Sequence, residues 1–289
     1  MADLAWINGE IVDLAEAKIP FLDHGYFFGY GVYEALKLYE GKPFALEQHL
    51  DRFERSMRAL NIVPDFSRDD LRNIIVTLIK QSQLQDAIVY FQVTRGIGPR
   101  SHSALKNPKP PLTMFISHLP PTPSILREKG ARAIVLKDER WAHPHIKSLN
   151  LLPNVLAKEK ADQNNAYEAI LVRDNNIVTE AASSNVFAVF DGEIVTHPTD
   201  GKILPGISRA VVLNICAKNN FKYKEDYFTV EQLKKADEVF LTNTSVEVLA
   251  VTEIDGAKVG SGKPGEITNK LHELFLEEVK QDINNFKME

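Results

Sequence analysis

Cysteine is nearly absent from this chain, with Cys216 the only one in 289 residues. A lone thiol excludes disulfide frameworks and thiolate zinc sites, and no metal is expected; it also fits a reducing compartment. Charge of one sign is lacking too. The 34 Lys and Arg stand against 39 Asp and Glu for a formal net charge of −5, and no basic block stands out. Nucleic acid and anionic membranes are therefore not expected partners, and small-molecule chemistry is. Long apolar runs are missing. The best stretches, such as Ile74 to Ile79, fall far short of the ~20 residues that cross a bilayer, and Met1-Ala2-Asp3-Leu4-Ala5-Trp6 has no basic region followed by an apolar one. A cytoplasmic protein is expected. What remains is ordinary for a globular chain, 44% hydrophobic and 25% charged, enough to bury a sizeable core. At this length two medium domains are expected.

The first segment is β-rich, because Asn8-Gly9 sits between short apolar arms as a hairpin turn. Gly31 to Tyr39 follows as a strand that breaks at Glu40-Gly41-Lys42-Pro43. From Leu46 the period changes: Leu46, Leu50, Phe53, Met57 and Leu60 recur at helical spacing, and 69–84 repeats the pattern. Strands are expected at 87–94 and 112–117. Leu119-Pro120-Pro121-Thr122-Pro123-Ser124 then reads as a linker, dividing an N-terminal domain (1–118) from a C-terminal one (125–289). Beyond it come a strand at 131–136, a helix around 154–163, a hairpin-like series over 167–195, a helix at 207–218, strands over 239–252 and a terminal amphipathic helix. Mixed elements without strict alternation predict an α+β fold in two dissimilar halves.

Several short segments could carry chemistry. The glycines of Asp23-His24-Gly25-Tyr26-Phe27-Phe28-Gly29-Tyr30-Gly31 lack the Lys-Ser/Thr of a phosphate loop, and turn chemistry accounts for them. Lys147 lies among apolar and small residues where a strand region gives way to a helix. Most lysines are solvated, but a semi-buried one suits a Schiff-base nucleophile. In Thr179-Glu180-Ala181-Ala182-Ser183-Ser184-Asn185 an acid and small polar groups precede an apolar strand, which is either loop chemistry or a site. Leu204-Pro205-Gly206-Ile207-Ser208-Arg209 opens a helix with free N–H groups and a hydroxyl, as an anion site or a simple cap would.

Taken together, Ile146-Lys147-Ser148-Leu149-Asn150, Glu168-Ala169-Ile170-Leu171, 180–187 and 204–209 resemble the class IV (fold-type IV) aminotransferases, which use pyridoxal 5′-phosphate. Tyr90 to Gly96 leading to Pro99-Arg100-Ser101-His102, with Gly31-Val32-Tyr33-Glu34 and His49-Leu50-Asp51-Arg52, is most similar to the D-amino acid branch of that family. The resemblance spans nearly the whole chain and implies a two-domain fold-type IV enzyme, its second domain binding the cofactor. It implies that Lys147 attaches the cofactor and shuttles a proton, and that Glu180 faces the pyridine nitrogen. It places Ser184, Asn185, Gly206 and Asn243 around the cofactor, Leu204 on a ring face, and Arg52, Ile207, Ser208 and Thr244 on the phosphate. Tyr33, Arg100 and His102 would bind the substrate α-carboxylate, the last two reaching in from the other subunit of a homodimer. Amino acids and 2-oxo acids are the implied substrates, and transamination of D-amino acids such as D-alanine with 2-oxoglutarate the implied reaction.

The pattern has departures. Ala182 stands where relatives carry a serine, Asn243 replaces a serine beside Thr244, and Tyr30 stands where an aspartate is usual. Arg52 lies off the apolar stripe of its helix, which permits a cofactor contact or a solvated side chain. Branched-chain L-amino acid aminotransferase and aminodeoxychorismate lyase share the fold and cofactor and are the alternatives, which Arg100-Ser101-His102 argues against.

Overall fold

The computed structural model describes residues 2–288 apart from Asn8, Ala104 and Asn107. The chain divides into two compact units: one comprises Met1–Pro121, Ile146–Asn150 and Val279–Glu289, the other Thr122–His145 and Leu151–Glu278. The change at Pro121 and Thr122 falls inside the proline-rich segment. Two short pieces beyond it, 146–150 and 279–289, belong with the first unit.

The first unit contains β1 (Leu4–Ile7), β2 (Glu10–Asp13), α1 (His24–Phe28), β3 (Gly31–Tyr39), β4 (Lys42–Pro43), α2 (Leu46–Ala59), α3 (Arg68–Ser82), β5 (Ala87–Thr94) and β6 (Leu112–His118). Its sheet runs in the order β2-β1-β6-β5-β3-β4 with every pairing antiparallel. Ile7 pairs with Glu10, but the expected turn includes Asn8, which lies outside the described residues. Alternation decides the faces of β3: Val32, Glu34, Leu36 and Leu38 are buried, and the first and last two pack in the core that holds Phe53, Ile75, Leu78, Val89 and Phe91. Tyr33 therefore faces the other side, where it stacks on Tyr90, and Tyr90 on Phe115. The sequence pattern does not predict α1. Asp23 caps it by accepting from Gly25 N–H at 2.6 Å, and Gly29 ends it at φ 61°, a left-handed geometry that glycine adopts without penalty.

The second unit contains α4 (Ser124–Lys129), β7 (Ala131–Lys137), α5 (Leu152–Gln163), β8 (Glu168–Arg173), β9 (Ile177–Ala181), β10 (Asn185–Phe190), β11 (Glu193–Thr196), α6 (Ile207–Lys218), β12 (Tyr223–Glu225), α7 (Val230–Leu233), β13 (Glu238–Asn243), β14 (Glu247–Ile254), β15 (Ala257–Lys258) and α8 (Glu266–Asn285), whose last turns belong to the first unit. Its sheet is ordered β12-β11-β10-β13-β14-β7-β8-β9, with β15 on β14. The hairpin-like series expected over 167–195 is only partly a meander. β9 and β10 occupy distant places in that order, yet residues 182–184 alone connect them and Ala181 N–H donates to Ser184 O at 2.7 Å. The sheet curls so that its β9 end comes back to β10 there, which sets Glu180 and Asn185 side by side. Parallel pairing of β7 with β8 and β14 explains why Glu168 to Leu171 are buried without alternation. Cys216 is fully buried on α6, and burial pushes its thiol up to about 12, which makes it inert. Among the described residues no helix is long and apolar enough to cross a membrane.

Candidate active site

In the first unit the segment around Lys147 is fastened along the start of β3. Lys147 N–H donates to Ser56 Oγ at 3.3 Å, Lys147 O accepts from Tyr33 N–H at 3.0 Å, and Leu149 N–H donates to Gly31 O at 3.0 Å. The backbone is held on both sides, so the half-buried side chain has a defined origin. Its ammonium lies over the Tyr33 ring, 4.1 Å from the centroid. The structure thus brings together the expected Schiff-base lysine and one expected carboxylate ligand.

Arg52 is buried, not solvated. It forks onto Glu34 through Nε (2.7 Å to Oε1) and Nη2 (2.9 Å to Oε2), and His49 Nδ1 donates to Glu34 Oε2 at 2.7 Å. The motifs assign Glu34 no role, although alternation with Val32 and Leu36 puts it on the face covered by α2. A carboxylate there needs donors, and α2 supplies two at positions 49 and 52, one turn apart. Burial pushes the Glu34 carboxyl up, but Arg52 and His49 reverse that and hold it far below the usual range. His49 is pushed down, first by burial and further by Arg52 and Lys147, against the pull of Glu34.

Both groups titrate below their ordinary values, so their stabilisation is present above those values and is lost as pH falls through the folded-state ones. His49 acts first, as pH falls below its ordinary 6.5, and Glu34 from about its ordinary 4.5 downward. The thermal midpoint should drop between pH 7 and pH 5, and His49→Gln, whose amide can still donate to Glu34, should have a flatter profile there. Calorimetry across that range checks it; identical slopes would remove His49 from the account.

Arg100 and His102 flank one aromatic ring. The Arg100 guanidinium lies 5.3 Å from the Phe28 ring centroid and the His102 ring 5.5 Å from it, and both residues are exposed. Neither forms an ion pair with a carboxylate among the described residues.

In the second unit three of the expected cofactor residues, Glu180, Asn185 and Leu204, form one hydrogen-bonded group. Glu180, 4% exposed, accepts from Arg140 Nη1, from Asn185 Nδ2 (2.8 Å) and from Leu204 N–H (3.0 Å to Oε1). Asn185 also donates to Leu204 O at 2.9 Å. A Cβ on Gly206 would fall 2.1 Å from Asn185 Oδ1, so glycine is the residue that leaves room for this clasp. Burial pushes the Glu180 carboxyl above its usual value, with Arg140 the strongest opposing influence. Gly206 caps α6 without a side-chain hydrogen bond, and the first turn carries no acid, so the N–H groups at Ile207 and Ser208 suit an anion.

Ser184 Oγ donates to Glu168 Oε2 at 3.1 Å and accepts from Asn243 Nδ2 at 2.9 Å. Asn243 Oδ1 accepts from the N–H groups of Ser245 and Val246, both at 2.8 Å, which shapes the turn that carries Thr244. The asparagine substitution therefore has its own structural use. Ala182 packs with Ala161, Ala166 and Ala169, where a serine would bury a hydroxyl among methyl groups. Tyr30 donates its hydroxyl to Leu60 O at 3.1 Å.

Each unit carries chemistry that pyridoxal phosphate uses: the first a half-buried lysine, and the second a helix start with free N–H groups and a buried carboxylate suited to a protonated ring nitrogen. The amino-transferase class IV family model matches residues 31–254. The chain belongs to that family. Class IV aminotransferases use pyridoxal phosphate, and this chain is a pyridoxal-phosphate-dependent transaminase of fold-type IV. It is 44% identical to a D-alanine aminotransferase of Staphylococcus haemolyticus over 270 residues, 93% of this chain and 95% of that one. A D-alanine aminotransferase of Listeria monocytogenes is 41% identical over 276 residues, covering 94% and 95%. Among solved structures, the branched-chain amino acid aminotransferase of Escherichia coli superposes with a TM-score of 0.92 at 25% identity, covering 99% of this chain and 97% of that one. A T.th. branched-chain amino acid aminotransferase, solved with pyridoxamine 5′-phosphate, gives 0.89 at 28% identity, covering 97% and 95%.

Proposed function

We propose that this class IV aminotransferase moves amino groups between D-amino acids, such as D-alanine, and 2-oxo acids, such as 2-oxoglutarate. The observation that carries this is the 44% identity to a D-alanine aminotransferase over nearly the whole chain, against 25% and 28% for the branched-chain enzymes. The Arg100 and His102 pair supports it, since two exposed cationic or hydrogen-bonding groups side by side suit an α-carboxylate.

Pyridoxal phosphate, when bound, supplies a carbonyl carbon for the amino group and a ring that accepts the electron pair released at the donor Cα. Lys147 would hold the cofactor through its amine and, when that amine is free, would take up and carry the proton of the donor Cα. Glu180 would hold a proton on the ring nitrogen. Arg52, the Ile207 and Ser208 N–H groups and Thr244 would hold the phosphate, Leu204 would lie against the ring, and Ser184, Asn185, Gly206 and Asn243 would shape its surroundings. Tyr33, Arg100 and His102 bind and orient the donor carboxylate, which selects the hand of the substrate.

A homodimer belongs to the same proposal. Phe21 (70% exposed) and Tyr26 (64%) project beside Leu22 and Ile97, and the backbone of Gly98 is bonded to Leu22 O at 3.0 Å. An apolar patch so close to Arg100 suits a second copy, whose site Arg100 and His102 would then serve. A cytoplasmic setting fits the lone buried cysteine.

Mixing the holoenzyme with one donor at a time tests the reaction. D-Alanine should convert the bound cofactor to its amine form far faster than L-leucine does. Preference for L-leucine would move the function to branched-chain transamination, and pyruvate release from aminodeoxychorismate without amino transfer would move it to the lyase.

A further inference from the structure

The proposed place of Glu180 at the ring nitrogen makes the groups behind its carboxylate matter, and a role for them rests on that reading. They form a chain of buried charges within the second unit. Arg140 donates to Glu180 through Nη1, while its Nε and Nη2 fork onto the two oxygens of Asp138 at 2.9 and 2.8 Å. Asp138 is itself held by Arg173 Nε at 2.8 Å and by the Thr179 hydroxyl at 3.1 Å. The side chains of Arg140, Asp138 and Glu180 are 5%, 0% and 5% exposed.

We propose that Arg140, locked by Asp138, is a positioning residue for the transamination, fixing the direction and the charge that Glu180 presents to the cofactor ring. A guanidinium is planar, so the fork onto Asp138 leaves its Nη1 edge only one direction, and that edge meets Glu180. Asn185 Nδ2 on Oε2 and Leu204 N–H on Oε1 block rotation of the carboxylate from the other side. A structural ion pair alone would be complete with Asp138 between Arg140 and Arg173. Glu180 adds a second carboxylate to that cluster, and two carboxylates sharing a buried site need the guanidinium between them.

Charge follows the same geometry. Burial favours the protonated form of Glu180, Asp138 pushes in the same direction, and Arg140 is the largest influence against both. Asp138 stays below its ordinary value because Arg140 and Arg173 outweigh its burial. With Arg140 removed, Glu180 would take a proton for itself and could no longer hold one on the ring nitrogen.

The test compares Arg140→Gln, Arg140→Lys and Glu180→Gln with the wild type. Each is measured for cofactor content, thermal midpoint and the pH profile of kcat. In the cofactor-free protein the infrared carboxyl bands of Glu180 are isolated by subtracting Glu180→Gln. Arg140→Gln should retain cofactor, show Glu180 as the neutral acid where the wild type shows carboxylate, and move the acid limb of kcat upward. A shift of about one pH unit corresponds to a ~10-fold change in proton affinity and lowers kcat on that limb by a similar factor. Arg140→Lys should recover part of the charge effect, and if Arg140→Gln fails to fold, Arg140→Lys should still show a smaller shift of the same sign, whereas Asp138→Asn, which removes a charge that favours the protonated form of Glu180, should shift the limb the opposite way. Unchanged limb and bands in the folded Arg140 variants, with Glu180→Gln impaired, overturn the inference alone. Full turnover in Glu180→Gln overturns the underlying assignment of Glu180.

Discussion

Lys147→Ala should retain the cofactor and lose at least ~10³-fold in kcat, because in the proposed function one side chain serves both as attachment point and as proton carrier, and a positioned general base alone contributes ~10²- to 10⁴-fold. The backbone at Lys147 is held by Ser56 Oγ and Tyr33 N–H, so the substitution deletes an amine without releasing the segment. The phosphate and ring donors assigned to Arg52, Glu180, Ile207 and Ser208 lie elsewhere, so cofactor content should stay close to that of the wild type. Steady-state assays with D-alanine and 2-oxoglutarate, normalised to bound cofactor, check the effect. Turnover above a tenth of wild type would mean that another group carries the Cα proton.

Arg100→Ala should lower kcat/KM with D-alanine by at least ~30-fold, since truncating a charged anchor of a buried carboxylate costs ~2–5 kcal/mol. Arg100 is exposed in the single chain, so a large effect requires that something cover it. If a second copy does, then mixing Lys147→Ala with Arg100→Ala chains makes some dimers in which one site receives Lys147 from one chain and Arg100 from the other. Random exchange leaves about half the dimers mixed and one of their two sites intact, so activity should return to about one quarter of wild type. No recovery would place Arg100 in its own chain's site, and an unchanged single variant would make it a surface residue.

Much of the fold was legible in the sequence because period separates helix from strand. The stripe at Leu46, Leu50, Phe53 and Met57 marked α2, and β3, β5 and the N-terminal hairpin followed from alternation and turn residues. α1 was not, since five residues cannot express a helical period, and neither was β12, a short exposed strand. The curl that joins β9 to β10 depends on long-range pairing, which no local pattern carries. At the site, Lys147, Glu180 and the α6 start were visible as motifs. The residues that hold them were hidden for different reasons. Glu34 and Glu168 interrupt apolar strands, a signal that could have been used, because a fully buried carboxylate demands partners. Arg140 offered no such signal. Its partner Glu180 is distant in sequence, as is the Arg173 that shares Asp138 with it, and only Asp138, two residues away, hinted at a paired role.

Borohydride reduction of the holoenzyme, followed by peptide mapping, tests most directly the claim that this chain works as a transaminase through Lys147. The reduction fixes the cofactor to whichever amine holds it, and the account predicts one labelled peptide spanning 146–150, with the label on Lys147. Label on another lysine, or a bound cofactor that borohydride does not fix to the protein, would contradict it.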